Sequence, residues 1–149
     1  ASLCEPIVSG RHVRLRFPRI PRELWESALP YLRNPVRTRR QARIVDADVQ
    51  LYDAGVTALA RLTMVGSGRD EVYAMSSAAF EVACEDHKLV QTPYAEEGTI
   101  VVERWKYAPG VLSPDGRSVD RLSLYLSLRD DHDERIQAAL TELLEETKW

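Results

Sequence analysis

The sequence predicts an α+β fold: a single domain of short strands and scattered helices over residues 18–149, preceded by a β-hairpin over residues 1–17. Short segments in which apolar and polar residues alternate predict strands, and segments with apolar residues three or four positions apart predict helices. The length of 149 residues, with 44% hydrophobic and 29% charged residues, is typical of one globular domain. Disorder and a disulfide-stabilised miniprotein are both disfavoured by this composition.

The hairpin is predicted from two short segments joined by a turn. Residues 11–17 alternate between an apolar face, with Val13, Leu15 and Phe17, and a basic face, as a strand does when one face is buried and the other exposed. Gly10 can adopt the positive φ that a tight hairpin turn requires. A short hairpin with arginines on its exposed face resembles the wing of a winged-helix domain.

Further strands are predicted at 71–75, 88–92 and 99–107, the last being the richest in β-branched and aromatic residues. Residues 36–45 fit either a basic strand or an extended connector. Residues 119–128 fit a strand, because leucines alternate there, or a short helix capped by Asp120.

Helices are predicted where apolar residues recur at helical spacing. One begins at Pro21 and ends near residues 29–32, at Pro30. The others begin at an N-cap, which we assign to Asp53, to Ser76 or Ser77, and to Asp133.

The charge distribution is strongly asymmetric. The first 43 residues hold ten arginines and three glutamates, a net charge of +7, whereas the remaining 106 residues carry a net charge of −10. Arginine outnumbers lysine seventeen to three, and its planar guanidinium suits contacts with phosphates and base edges. A basic front and an acidic back indicate one surface for a polyanion and another for solubility or a different partner.

Two basic clusters are therefore candidates for nucleic-acid binding. The candidate residues are Arg11, His12, Arg14 and Arg16 in the hairpin, and Arg37, Arg39, Arg40 and Arg43 in the segment that follows the first helix. Each cluster has an alternative interpretation. The hairpin charges could only prevent edge-to-edge pairing, and the second cluster could be a solvated connector paired with the acidic half.

No motif indicates catalysis, a cofactor or a metal ion. The chain has neither a GxSxG nor a GxxxxGK[ST] motif, and Cys84 with His87 has ligand spacing but no second pair nearby. The run 130–134 is acidic, but it lies where carboxylates cap a helix. We expect a protein that is not an enzyme and has no cofactor.

The remaining signals concern location and partners. Cys4 and Cys84 predict free thiols in a reducing compartment, so we expect a cytoplasmic protein with no membrane-spanning segment. Trp149, at the end of an acidic helix, is a candidate anchor for a protein partner.

Four stretches together resemble the C-terminal region of bacterial winged-helix regulators of the MarR-like and AbiEi-like type IV antitoxin families. They are residues 21–36 (PRELWESALPYLRNPV), 54–75 (AGVTALARLTMVGSGRDEVYAM), 103–109 (ERWKYAP) and 119–144 (VDRLSLYLSLRDDHDERIQAALTELL). In these families an N-terminal winged helix binds promoter DNA, and the C-terminal domain acts against a nucleotidyltransferase-like toxin. The resemblance favours the helix over the strand at 120–128.

The resemblance implies that residues 3–17 are the last strands of a winged helix whose helices lie upstream, so we expect this chain to be a piece of a longer protein. It further implies a non-enzymatic domain of a DNA-binding regulator that contacts the backbone of double-stranded DNA, with a nucleotidyltransferase-like toxin or a second copy as further partners. The alternative is a protein-interaction or oligomerisation module with no role in nucleic-acid binding.

Overall fold

The computed structural model describes residues 2–149 and divides the chain into two units. One unit runs to Arg33 and also contains Lys148 and Trp149, whereas the other spans Asn34–Thr147. The boundary between units thus follows the first helix, whereas the sequence places a boundary after residue 17. Trp149 joins the first unit because its ring lies 6.4 Å from the ring of Trp25, measured between centroids, with the two planes tilted by 40°.

The first unit contains the predicted hairpin and the first predicted helix. Strands β1 (Glu5–Ser9) and β2 (His12–Arg16) pair in antiparallel register, and Gly10 takes a φ of +60° in the turn. Helix α1 (Pro21–Ala28) follows, with its proline in the first turn, and continues as a 3-10 turn over Leu29–Tyr31.

One prediction about the hairpin is wrong: its apolar face is not buried. Val13 is 63% exposed, Leu15 58% and Phe17 51%. Alternation decides which side chains share a face, but burial requires a second layer to cover that face. Among the described residues of the first unit, α1 is the one α-helix that could supply such a layer, and it has eight residues.

The second unit is built on a five-stranded sheet with the strand order β4-β5-β7-β3-β6. All neighbouring pairs are antiparallel except β5 and β7, which run parallel. The strands are β3 (Val36–Ile44), β4 (Tyr52–Asp53), β5 (Val72–Ser76), β6 (Leu89–Thr92) and β7 (Ile100–Trp105). Residues 36–44 are therefore a strand and not a connector.

Four helices cover this sheet, and together with the two sheets they confirm the α+β prediction. They are α2 (Gly55–Leu62), α3 (Ser77–Glu85), α4 (Arg121–Leu128) and α5 (Glu134–Glu145). Three of the expected caps are present. Ser76, Asp120 and Asp133 each accept a backbone N–H of the first helical turn, which also confirms a helix at 121–128.

The predicted cap at Asp53 is wrong. Asp53 ends β4, where its backbone N–H donates to the carbonyl of Arg117 and its carbonyl accepts from Val119, and Ala54 takes the N-cap position of α2. The Asp53 side chain is buried and forms an ion pair with Arg61. Strand pairing therefore outcompetes the local preference of aspartate for a helix terminus.

The two faces of the sheet are covered by different helices. Ala74 and Trp105 pack with α2, α4 and α5 on one face, which we call the three-helix face. Val102 and Ala42 pack with Phe80 of α3 on the other face. Since side chains alternate along β7, Glu103 lies on the three-helix face, beside the buried Trp105.

Candidate nucleic-acid interface

The hairpin displays its basic residues on one exposed face. Along β2, His12, Arg14 and Arg16 share this face, because side chains two residues apart point the same way. A rise of about 3.4 Å per residue separates the α-carbons of Arg14 and Arg16 by roughly 7 Å. Glu5 lies opposite Arg16 and is the one acidic residue among the strand pairs of this hairpin.

All four hairpin candidates are accessible to a ligand. Arg11, His12, Arg14 and Arg16 are exposed, and within residues 2–149 none of them takes part in an ion pair. Arg19 and Arg22 of the same unit are engaged instead, with Ser27 and with Glu26 respectively. The unengaged cations of the first unit are thus concentrated in and around β2.

The second cluster does not form a continuous basic surface. Arg39 pairs with Glu103 at 2.9 Å, and Arg43 lies 3.3 Å from a carboxylate oxygen of Glu96. For these two arginines the structure agrees with the alternative interpretation, pairing with the acidic half of the chain.

The other two arginines of the cluster are exposed and take part in no ion pair within residues 2–149. Arg40 lies opposite Val102 in the register and so projects from the face that α3 covers, where its Nη1 donates to the carbonyl of Arg39 at 3.0 Å. Arg37 occupies the irregularity between Val36 and Thr38 where the register shifts. The hairpin is therefore the better-defined basic surface.

Glu103 is a chemically notable residue that the sequence analysis missed. Its side chain is fully buried, and one carboxylate oxygen accepts from Nε of Arg39 at 2.9 Å while the other accepts from Nε1 of Trp105 at 3.3 Å. Burial raises the pKa of this carboxyl above its ordinary value, although Arg39 and Trp105 act in the opposite direction. The available signal was an acid inside a largely apolar strand, IVVERW, in which Arg104 is the other charged residue.

Trp149 lies at the end of the chain, partly covered by another tryptophan. The side chain is 38% exposed and packs against Trp25, which is buried. The contact gives Trp149 a partner in its own unit, and a role in binding another chain stays a prediction.

Within the described part of the chain, no three His, Cys, Asp or Glu side chains are grouped so that they could hold a metal ion. Cys4 and Cys84 are both free thiols.

Within residues 2–149, no helix has both the length and the apolar character needed to cross a lipid bilayer.

Comparison of the chain with models of protein families, with curated proteins and with solved structures gives no match.

Proposed function

We propose that this chain binds the backbone of double-stranded DNA through the basic face of its hairpin, as a non-enzymatic part of a bacterial, cytoplasmic transcriptional regulator of the antitoxin type. The observation that carries the proposal is the row of exposed cations, His12, Arg14 and Arg16, along one face of β2, with Arg11 beside the turn. Guanidinium groups at this spacing can each meet a phosphate oxygen.

Local charge, not net charge, supports the interaction. The whole chain carries a formal net charge of −3, so a uniform electrostatic attraction to DNA is not expected. Backbone contacts by a few exposed arginines would instead give affinity with little sequence preference, because phosphates carry no sequence information.

The test is a titration of the full 149-residue chain against a fluorescently labelled mixed-sequence duplex, followed by anisotropy over a range of salt concentrations. Each phosphate that the protein neutralises contributes about −0.9 to the slope of log affinity against log salt. We expect the double variant R14S/R16S to bind more weakly and to flatten the slope by about 1.8, the contribution of two phosphates.

Arg22→Ser is the matched control, because Arg22 is an exposed arginine of the same unit that is already paired with Glu26. Its affinity and slope should equal those of the unaltered chain. The proposal is wrong if the chain shows no binding even at low salt, or if R22S and R14S/R16S have the same effect.

A second function, a protein-interaction module, is favoured by the opposite face of the hairpin. Pro6 lies opposite Leu15 and Val8 opposite Val13, so these four apolar residues share one exposed face. Ile7 lies opposite Arg14 on the basic face. An exposed apolar surface is typical of a site for another protein. If this function holds instead, L15E should abolish a complex seen by native mass spectrometry, whereas R14S/R16S should leave that complex intact.

A further inference from the structure

A cleft in the second unit lies at the start of β3, independent of the proposed DNA contact. It consists of two adjoining hollows of about 350 and 270 Å³ that share Arg39, Leu128 and Asp131. The larger hollow alone is within the volume range of small-molecule sites. The shared residues place one cation and one anion where the hollows meet.

The cation, Arg39, is held in position by a buried carboxylate. Nε and Nη2 of Arg39 both lie 2.9 Å from the same oxygen of Glu103, which is fully buried and fixed in turn by Trp105. A guanidinium has five N–H donors, so three remain after Glu103 is served. Since the Arg39 side chain is 53% exposed, these donors can reach a ligand in the cleft.

The anion is held in place as well. One oxygen of Asp131 accepts the backbone N–H of Asp133 at 2.8 Å, and the Asp131 carbonyl accepts from the side-chain amide of Gln137 at 2.7 Å. The carboxylate is therefore positioned by the loop between α4 and α5 while its second oxygen remains available. Groups fixed before a ligand arrives lose little entropy when it binds.

The two fixed charges do not neutralise each other. Arg39 pairs with Glu103, and its nitrogen atoms lie more than 4.0 Å from the carboxylate oxygens of Asp131. The rim adds one arginine and one aspartate to each hollow: Arg37 and Asp130 to the larger, Arg69 and Asp70 to the smaller. With Glu103, which lines the smaller hollow and pairs with Arg39, the cleft has three arginines and four carboxylates. Charges of both signs around one cleft suit a molecule that carries both charges better than a simple anion.

We propose that this cleft binds a free α-amino acid, with its carboxylate on Arg39 and its ammonium group on Asp131. An α-amino acid carries both charged groups on one carbon, each through a bond of about 1.5 Å. One such molecule offers a group of the right sign to each of the two side chains, which line both hollows and do not pair with each other. The larger hollow leaves room for the ligand side chain.

The test is a titration of the whole chain with the standard L-amino acids, one at a time, followed by ¹H–¹⁵N NMR of the Arg39 Nε–H and Trp105 Nε1–H signals. Titrations up to about 10 mM detect the millimolar affinities of weak metabolite sites. We expect at least one amino acid to shift both signals saturably. Acetate and methylammonium, which each carry half of the zwitterion, should bind at least about tenfold more weakly, because one charged contact is worth about 1.5–3 kcal/mol.

Asp131→Asn is the decisive variant, because asparagine keeps the oxygen that accepts the Asp133 N–H and removes only the charge. It should weaken the binding about tenfold or more, which corresponds to about 1.4 kcal/mol. Arg43→Gln is the matched control on the same strand, since Arg43 pairs with Glu96 and does not line either hollow.

Three results would overturn the proposal: no amino acid gives a saturable shift, acetate binds as tightly as the best amino acid, or D131N leaves the affinity unchanged. The DNA titration is unaffected by these outcomes, so the two proposals fail separately.

Discussion

Arg39 and Glu103 lie directly opposite each other in the register of β3 and β7, and Nη2 of the arginine is 2.9 Å from the glutamate Oε2. The pair is unequal: the glutamate is fully buried, whereas about half of the arginine side chain is exposed. Removing one partner and removing the other should therefore have different consequences.

Arg39→Met should destabilise the chain by about 2 kcal/mol, because it leaves the buried carboxyl of Glu103 without its ion-pair partner and with only the Trp105 N–H as a donor. The loss is below the roughly 3–5 kcal/mol of fully buried pairs, since Arg39 is partly solvated. Glu103→Leu frees an arginine that water can solvate, so its cost of about 1 kcal/mol should come mainly from the buried Nε1–H of Trp105, which loses its acceptor. In the double variant R39M/E103L the loss caused by the unpaired carboxyl should disappear, whereas the loss at Trp105 should remain. Urea unfolding of the four proteins checks this, and additive effects of the two changes would contradict it.

The pH dependence of stability should reveal the buried carboxyl. Because burial raises the pKa of Glu103 above its ordinary value of 4.5, the folded state holds this proton to a higher pH than the unfolded state does. The contribution of Glu103 to stability is then fully present below the ordinary value and is lost as pH rises through the folded pKa. Relative to E103Q, the free energy of unfolding of the unaltered chain should fall over that range. Parallel curves for the two proteins would show that the pKa of Glu103 is the same in both states.

Gly55→Ala should destabilise the second unit by about 1–3 kcal/mol, the usual cost of a residue forced into a sparsely populated backbone region. Gly55 begins α2 with a φ of +51°, and an added Cβ would lie 2.9 Å from Cγ1 of Val72. Gly66→Ala is the control, because nothing lies within 4 Å of the Cβ it would add. Thermal unfolding should show a lower midpoint for G55A alone; equal midpoints would mean that the chain relaxes around the new methyl group.

Asp120→Ala should cost about 1 kcal/mol, because Oδ2 of Asp120 accepts the backbone N–H of Ser123 at 2.9 Å and caps α4. The control is Asp86→Ala, at the C-terminal end of α3. Asp86 is an exposed carboxylate that caps no N–H group, so its removal should cause no loss of stability. Denaturant midpoints compare the two variants. If D86A loses as much stability as D120A, the change in net charge causes the effect and the cap does not.

Most of the elements could be predicted from the sequence because they follow from local patterns. The hairpin turn at Gly10 and the helix caps at Ser76 and Asp133 depend on residues a few positions apart. The predictions that are wrong depend on residues that lie far apart in the sequence. Asp53 was assigned to a cap because its pairing with the distant segment around residues 117–119 is invisible in a local window.

The candidate sites divide in the same way. The basic face of β2 is a local property of alternation, whereas the engagement of Arg39 and Arg43 depends on acids more than fifty residues away. The buried Glu103 could be suspected from its apolar neighbours, but its arginine partner could not. The exposure of Leu15 likewise depends on which layers surround the hairpin, and that is a tertiary property.

The central position of β7 has a consequence for how the protein is made. This strand joins β3 to β5, yet it leaves the ribosome last of the five, and the Arg39–Glu103 pairing spans 64 residues. Until residues 100–105 have emerged, β3 and β5 have no neighbour between them and their apolar side chains stay uncovered. We expect slow folding that begins late in synthesis, and a nascent chain halted before Ile100 should be a ready target for chaperones and proteases.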